Sequence, residues 1–315
     1  MRLDRRKFTL GGSAALAGWM TRNLWAERVA PAASAEKFYF AVIADTHIID
    51  RFYHGHENSE EDSISIFHTA ERLTSARDLI NSLNPRIEQL FLVGDYFHNY
   101  PSPDYDFYFK NDTRLDRAKA ITDVFSMPVH VGFGNHDYDV KNIPRELSHR
   151  LFAVKFNARP YSALDYKGWK FIHLNNFLGD TQDRSAMQFN PAIGTLGEEQ
   201  LQWFEAQLQQ QRPTFVFVHF PLTMIESTEF RDYGLIPLVR KYRETIQAVI
   251  SGHVHRWINF SHTFGPQHYA IAATRYDENA YMLMEVDTRR GSWRFLNEDL
   301  VEWHTHYSQP YYSRL

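Results

Sequence analysis

Five short polar blocks carry the side chains in this sequence that could bind a metal ion. Each block follows directly after an apolar run. They are Asp45-Thr46-His47, Gly94-Asp95, Gly134-Asn135-His136-Asp137, His219, and Gly252-His253-Val254-His255. The chain has no cysteine but 16 histidines, so any metal must be held by imidazole and oxygen donors. That donor set suits manganese, iron or zinc.

The position of the blocks behind apolar runs predicts that they meet at one site. In an open α/β sheet, the loops just past the strand ends form the crevice where ligands bind. Asp45 and His47 are two residues apart, so in an extended chain they face the same side, and His253 and His255 have the same relation. One block alone means little, because a lone aspartate after a strand is usually a cap or a turn residue. We therefore rely on the five together.

The apolar runs and their spacing predict the elements that position these blocks. The early strands are predicted at Phe38–Ala44, Leu90–Val93, Val129–Gly132, Trp169–Leu174, Thr214–Val218 and Ala248–Ser251, and the late ones at Trp257–His262, His268–Ala272, Tyr281–Val286 and Trp293–Leu296. Helices are predicted at Ile66–Leu83 and Arg114–Phe125, and a capping box at Thr195 opens a third that runs to about Gln210. Alternating strands and helices followed by a strand-rich part predict one domain, residues 36–315.

The five blocks, in this order, resemble the signature of calcineurin-like metallophosphoesterases over about residues 38–256. The resemblance implies an α/β fold, an αββα sandwich of two mixed β-sheets flanked by helices. It also implies a dinuclear site of divalent ions. Carried over by position, one ion would bind Asp45, His47 and His255, the other Asn135, His219 and His253, and Asp95 would bridge them together with a hydroxide.

This resemblance implies a phosphoesterase that hydrolyses a small phosphate mono- or diester by attack of the bridging hydroxide. Two cations generate hydroxide near neutral pH and hold the phosphoryl oxygens for in-line attack. His136 has no metal role in the pattern, so we expect it to protonate the leaving group or to stabilise the transition state. His98 either touches the substrate or fills the wall of the site.

Departures from the family pattern leave several alternatives open. The second block reads Gly94-Asp95-Tyr96-Phe97-His98. Purple acid phosphatases have a similar block, but with a tyrosine at the position of His98. The pattern is closer to bacterial phosphodiesterases and phosphomonoesterases. A nuclease of the same superfamily and a non-catalytic phospho-ligand-binding protein are the alternatives. The net charge of -4, with acids and bases mixed along the chain, gives no strong nucleic-acid signal.

Residues 1–35 read as an export signal and are excluded from the fold prediction. The block Arg5-Arg6-Lys7-Phe8 resembles a twin-arginine signal, and Ala33-Ser34-Ala35 fits a cleavage site. The apolar run Leu10–Met20 is too short to span a membrane. We expect export by the twin-arginine machinery to the periplasm or the exterior, with no transmembrane segment in the mature chain. An ordinary secretory signal or an uncleaved tether is the alternative.

Overall fold

Two mixed β-sheets form the centre of the protein. The computed structural model describes residues 36–304 except residues 56, 58, 140 and 141, so the predicted export signal lies outside the described residues. The strands are β1 Lys37–Ile43, β2 Gln89–Leu92, β3 Val129–Val131, β4 Ser162–Tyr166, β5 Trp169–His173, β6 Thr214–Phe217, β7 Ile246–Ser251, β8 Ile258–Ser261, β9 Gln267–Ala270, β10 Tyr281–Asp287 and β11 Ser292–Phe295. One sheet has the order β11-β10-β1-β2-β3 and the other β4-β5-β6-β7-β9-β8.

Helices connect the strands and cover the outer faces of the sheets. They are α1 Glu60–Ser65, α2 Thr69–Asn81, α3 Phe107–Lys110, α4 Arg114–Thr122, α5 Asn135–Tyr138, α6 Arg145–Phe156, α7 Glu198–Leu208 and α8 Leu235–Lys241. Among the described residues, no helix combines the length and the apolar character that crossing a membrane would require.

Parallel pairing decides where the ends of the strands lie. β1 is parallel to β2 and β2 to β3 in the first sheet, and β5, β6, β7 and β9 are parallel neighbours in the second. The late strand β10 pairs antiparallel with β1, and β11 pairs antiparallel with β10 at the edge of the first sheet. The carboxyl ends of the parallel strands therefore meet at a common edge, as open α/β sheets require for a ligand crevice.

The core has two parts because each central strand is buried on both faces. On β1, Phe38, Phe40 and Val42 point into an aromatic layer between the sheets, while Tyr39 and Ala41 face the helices. The ring of Phe40 lies 5.2 Å from that of Phe171 and 5.0 Å from that of Phe215 on the opposite sheet. Burying such a side chain contributes about 1.5–3 kcal/mol. The predicted αββα sandwich is confirmed.

Some predicted elements differ from the structure. The helix predicted from a capping box at Thr195 begins at Glu198 with Gly197 as its N-cap, because the Thr195 hydroxyl lies 2.7 Å from that of Thr181 instead. Strand β4, the longer helices α6 and α8 and the short helices α1, α3 and α5 were not predicted. β4 is an edge strand whose residues alternate between half-buried and exposed, so it lacks the continuous apolar run of the central strands.

The aromatic side chains of the loop after β2, in residues 100–109, mainly pack against other parts of the protein. Tyr100 and Tyr108 are buried, and their rings meet edge to face at 5.9 Å. The guanidinium of Arg150 covers the ring of Tyr105 at 3.8 Å. Only Phe109 in this cluster is exposed to about half of its surface, 50%. These packing contacts explain the aromatic residues of the loop, so no stacking on nucleic-acid bases is needed to explain them.

Candidate metal centre

The five polar blocks follow the carboxyl ends of β1, β2, β3, β6 and β7 and meet at one edge of the sandwich. The side chains of Asp45, His47, Asp95 and His219 are buried at the base of this site. A second set lies on the open side and is half-buried: Asn135, His136, His253 and His255. The site is therefore a cleft with carboxylates at its base and imidazoles around its mouth.

The backbone brings the donors together in a way that differs from the prediction. We expected Asp45 and His47 to face one side because the chain would be extended. Instead both have positive φ, 55° and 47°, as do Asp95 at 50°, His253 at 69° and His255 at 55°. Positive φ is uncommon for residues other than glycine and costs roughly 1–3 kcal/mol each where the surroundings impose it. Backbone strain of this kind concentrates at functional sites.

Backbone hydrogen bonds to the loop after β2 hold this conformation. The N–H of Asp45 donates to the carbonyl of Gly94 at 3.1 Å, and that of His47 donates to the carbonyl of Asp95 at 2.9 Å. The two sharp turns after β1 and β2 therefore fix one another.

One group of donors consists of Asp45, His47, Asp95 and His255. The Nε2 atoms of His47 and His255 are 3.1 Å apart, and His255 Nε2 lies 3.4 Å from Oδ1 of Asp45. His47 Nε2 lies 3.6 Å from Oδ2 of Asp95. Asp45 Oδ1 and His47 Nε2 are farther apart, at 4.0 Å.

A second group consists of Asp95, His219 and His253. His219 Nδ1 donates to the carbonyl of Val93 at 2.9 Å, which directs Nε2 towards Oδ2 of Asp95 at 3.2 Å. The same Nε2 lies 3.1 Å from Oδ1 of Asn135. Asp95 thus belongs to both groups and stands between them.

These distances fit divalent metal ions. Bonds of about 2.0–2.2 Å place neighbouring ligand atoms roughly 2.8–3.6 Å apart in octahedral or tetrahedral coordination. Most of the donor separations above lie in that range, and only the 4.0 Å pair needs a small side-chain shift. Burial and neighbouring histidines hold the pKa of His47 and of His253 well below the usual value, so both imidazoles are neutral and offer lone pairs.

His219 and Asp95 form an ion pair in the metal-free protein. Burial disfavours the imidazolium, but the carboxylates of Asp95 and Asp45 raise the pKa of His219 to about 9. Burial would likewise raise the pKa of Asp95, but His219 and His136 lower it well below its usual range. A metal ion between these groups would therefore replace the proton on His219 Nε2.

Two glycines leave room for the carboxylates. A Cβ atom on Gly134 would stand 2.2 Å from Oδ1 of Asp95, and one on Gly252 would stand 2.5 Å from Oδ2 of Asp45. Any side chain at these positions would displace a carboxylate from the centre of the site.

His136 lies beside the donors but is held by a different partner. Its Nδ1 donates to Oδ1 of Asn99 at 2.8 Å, which leaves Nε2 for another contact. Its backbone N–H donates to Oδ1 of Asp95 at 2.8 Å. Burial lowers the pKa of His136, and Asp95 opposes that shift. The imidazole is therefore neutral in the metal-free protein, with Nδ1 protonated.

His98 forms the wall next to His136. The two rings stack with their centroids 4.3 Å apart, and Nδ1 of His98 lies 3.1 Å from Nδ1 of His47. Burial and His136 lower the pKa of His98 to about 2. With 8% of its surface exposed, His98 is placed to support two other imidazoles, and its contact with substrate stays a prediction.

Asp137, the last residue of the third block, organises the backbone. Its carboxylate accepts hydrogen bonds from the N–H groups of Tyr96, Phe97 and Gly134 at 2.8–3.2 Å. It therefore ties the loop after β2 to the loop after β3.

A second set of residues around the cleft was not predicted from the sequence. Arg275 is buried, donates its backbone N–H to the carbonyl of Asp45 and pairs with Glu57 at 2.7 Å. Glu57 in turn lies 3.6 Å from Nε2 of His98. The long loop after β1 is thus anchored to the metal centre by an ion pair between residues 218 positions apart. Asn99 is also new, although its position directly after His98 could have indicated it.

Comparison with known proteins places the chain in a defined group. The model of the family described as calcineurin-like phosphoesterase matches residues 38–257. The rat serine/threonine-protein phosphatase CPPED1 is 32% identical over 200 residues, which cover 59% of this chain and 59% of that protein. The probable glycerophosphodiester phosphodiesterase GpdQ of Arcobacter nitrofigilis is 25% identical over 222 residues, 65% of this chain and 73% of that protein.

A solved structure shares the fold. A dimetal phosphatase from Danio rerio aligns with a TM-score of 0.57 and 17% identity, covering 78% of this chain and 92% of that one. At this level of identity the likeness concerns the fold alone.

Proposed function

Because the chain belongs to the calcineurin-like phosphoesterase family, we propose that it hydrolyses a phosphate mono- or diester with the help of two divalent metal ions. The observation that carries this proposal is the arrangement of the donors in two groups that share Asp95. In this proposal Asp45, His47 and His255 hold one ion, Asn135, His219 and His253 hold the other, and Asp95 bridges them. Manganese, iron and zinc all suit these donors.

When bound, two such ions would polarise the phosphoryl oxygens and activate a water molecule as the nucleophile. The side chains of the site have separate tasks. The two carboxylates offset the positive charge that the base of the cleft would otherwise carry. His219 is oriented by the Val93 carbonyl, so its Nε2 points at the centre whether or not an ion is present.

His136 is the group that we propose acts on the substrate. Asn99 binds Nδ1 of His136, which leaves Nε2 available for the substrate. The ring of His136 contacts that of His47, with the centroids 4.7 Å apart. Nε2 of His136 would take up a proton from solvent and pass it to the leaving alkoxide, and Asn99 would keep the ring in place while its charge changes. Asn99 acts through His136, so it is a positioning residue.

The two curated relatives differ in the ester that their names specify, a phosphoprotein in one and a glycerophosphodiester in the other. The matched part spans 59% of the rat protein, so the activity of this chain has to be measured. The experiment is metal analysis of the purified protein, followed by assays with an aryl monoester, an aryl diester, a phosphoserine peptide and a glycerophosphodiester. About two ions per chain and metal-dependent turnover are expected. A protein that binds no metal at micromolar concentrations contradicts the proposal, and one that binds metal without turnover is a binding protein.

We also propose that the protein is exported through the twin-arginine route. The support is the block Arg5-Arg6-Lys7-Phe8 followed by a short apolar run. That route carries folded proteins, which suits an enzyme that acquires its metal ions before it crosses the membrane.

A further inference from the structure

A large cavity lies at the side of the sandwich, apart from the metal centre. It opens where the edge strand β3 of one sheet faces the edge strand β4 of the other, and its volume is about 920 Å³. We call this space, lined by residues of β3, β4, α6 and α7, the edge cavity. None of the proposed metal ligands lines it. Its volume lies within the range of small-molecule sites, about 300–1,000 Å³.

The walls of the edge cavity are aromatic and incompletely buried. Phe156, Tyr161 and Trp203 are each half-buried, and the rings of Tyr161 and Trp203 lie 4.8 Å apart at one side. Phe91 and Phe171 form the floor, with stacked rings 4.9 Å apart. Flat, apolar surface of this kind matches an aromatic ring better than a flexible polar molecule.

Three histidines add polarity to the cavity without adding charge. Burial lowers the pKa of His173 to about 3 and that of His149 to about 4, and it also lowers the pKa of His130. His149 accepts from the hydroxyl of Tyr138 at 2.7 Å. Within the described part of the chain, Nε2 of His173 is buried without a hydrogen-bond partner. An uncharged ligand body can therefore enter without meeting a buried charge.

The mouth of the edge cavity carries one arginine and one glutamate, Arg159 and Glu199. Glu199 accepts a hydrogen bond from the hydroxyl of Tyr161 at 3.1 Å. Arg159 also lines the cavity, is exposed, and makes no ion pair or side-chain hydrogen bond with any residue that the structure describes. A guanidinium at this position can bind a carboxylate or a sulfonate through paired N–H donors.

We propose that the edge cavity is a second binding site, for a small aromatic molecule with one anionic group. The ring occupies the space between the aromatic walls, and the anionic group pairs with Arg159 at the mouth. The site is independent of the phosphoesterase proposal, because none of its lining residues belongs to the metal centre.

Two fluorescent probes that differ by one sulfonate group test this proposal. Anilinonaphthalene sulfonate carries the anionic group, and phenylnaphthylamine is the same ring system without it. Binding to the full chain is measured by titration, with manganese and inorganic phosphate present to occupy the metal centre. We expect one saturable site per chain for each probe.

Variants assign the probes to the edge cavity. Arg159→Ala should weaken the sulfonate about tenfold and leave the neutral probe unchanged, since a charge-assisted hydrogen bond is lost. Ala158→Trp, which places an indole in the cavity, should abolish binding of both. Arg243→Ala, an exposed arginine outside the cavity, should change neither.

Specific results would overturn the proposal. If a thermal unfolding curve shows that Ala158→Trp is folded and this variant still binds both probes, the probes bind elsewhere. If that variant does not fold, Trp203→Ala replaces it, and unchanged affinity for both probes has the same meaning. Equal sulfonate affinity in Arg159→Ala and the parent protein overturns the anionic part of the assignment.

Discussion

Replacing His136 by alanine should lower kcat by about 10²–10⁴-fold, the usual range for a general acid or base. This corresponds to roughly 2.7–5.4 kcal/mol in the activation free energy. Metal content should not change, because the Nδ1 atom of His136 is held by Asn99 and the residue is not assigned as a ligand. The loss should be largest for an alkyl ester and smallest for a nitrophenyl ester, whose leaving group needs no proton.

Asn99→Gly is the matched variant, because it removes the 2.8 Å hydrogen bond but keeps the imidazole. Glycine also tolerates the positive φ of 56° at this position. A hydrogen bond to a group that becomes charged is worth about 1.5–3 kcal/mol, so the loss in kcat should be about 10–100-fold, smaller than for His136→Ala. The assay compares kcat for both esters with the metal content of each variant. An equal loss of kcat for both esters would favour charge stabilisation over proton donation, and a His136→Ala protein without metal would refute the assignment.

Asp95→Asn should reduce kcat and metal content more than His255→Ala, because Asp95 stands in both donor groups; near-normal turnover and metal content would contradict its bridging role. The pKa of His219 is raised to about 9 in the folded, metal-free protein, against about 6.5 in the unfolded chain. Protonated His219 therefore stabilises the fold, fully at pH values below 6.5, and this stabilisation is lost as pH rises through 9. Between pH 6.5 and 9, therefore, the melting temperature of chelator-treated protein should fall and its affinity for manganese should rise; opposite trends would disprove the ion pair with Asp95. Replacing Arg5 and Arg6 together by lysine should retain the protein in the cytoplasm, as measured by cell fractionation, whereas unchanged export would indicate the general secretory route.

The sequence determined the local elements that hold the site. A strand buried on both faces must be apolar along its whole length, so β1, β2, β6 and β7 could be recognised within one or two residues of their ends. The polar blocks behind them were visible for the same reason, because a change from apolar to polar residues marks the end of a buried strand. Edge strand β4 has one exposed side and gives no such contrast.

Tertiary structure alone decided how the side chains meet. The left-handed backbone at Asp45 and His47 depends on hydrogen bonds to the loop after β2, about 50 residues away, a contact that no local pattern encodes. The pairing of Arg275 with Glu57 and the orientation of His136 by Asn99 likewise join segments that are far apart in the sequence. Residue type and spacing therefore indicated which donors are available. The distances between them, the protonation of His219 and the space of the edge cavity follow only from how the two sheets pack.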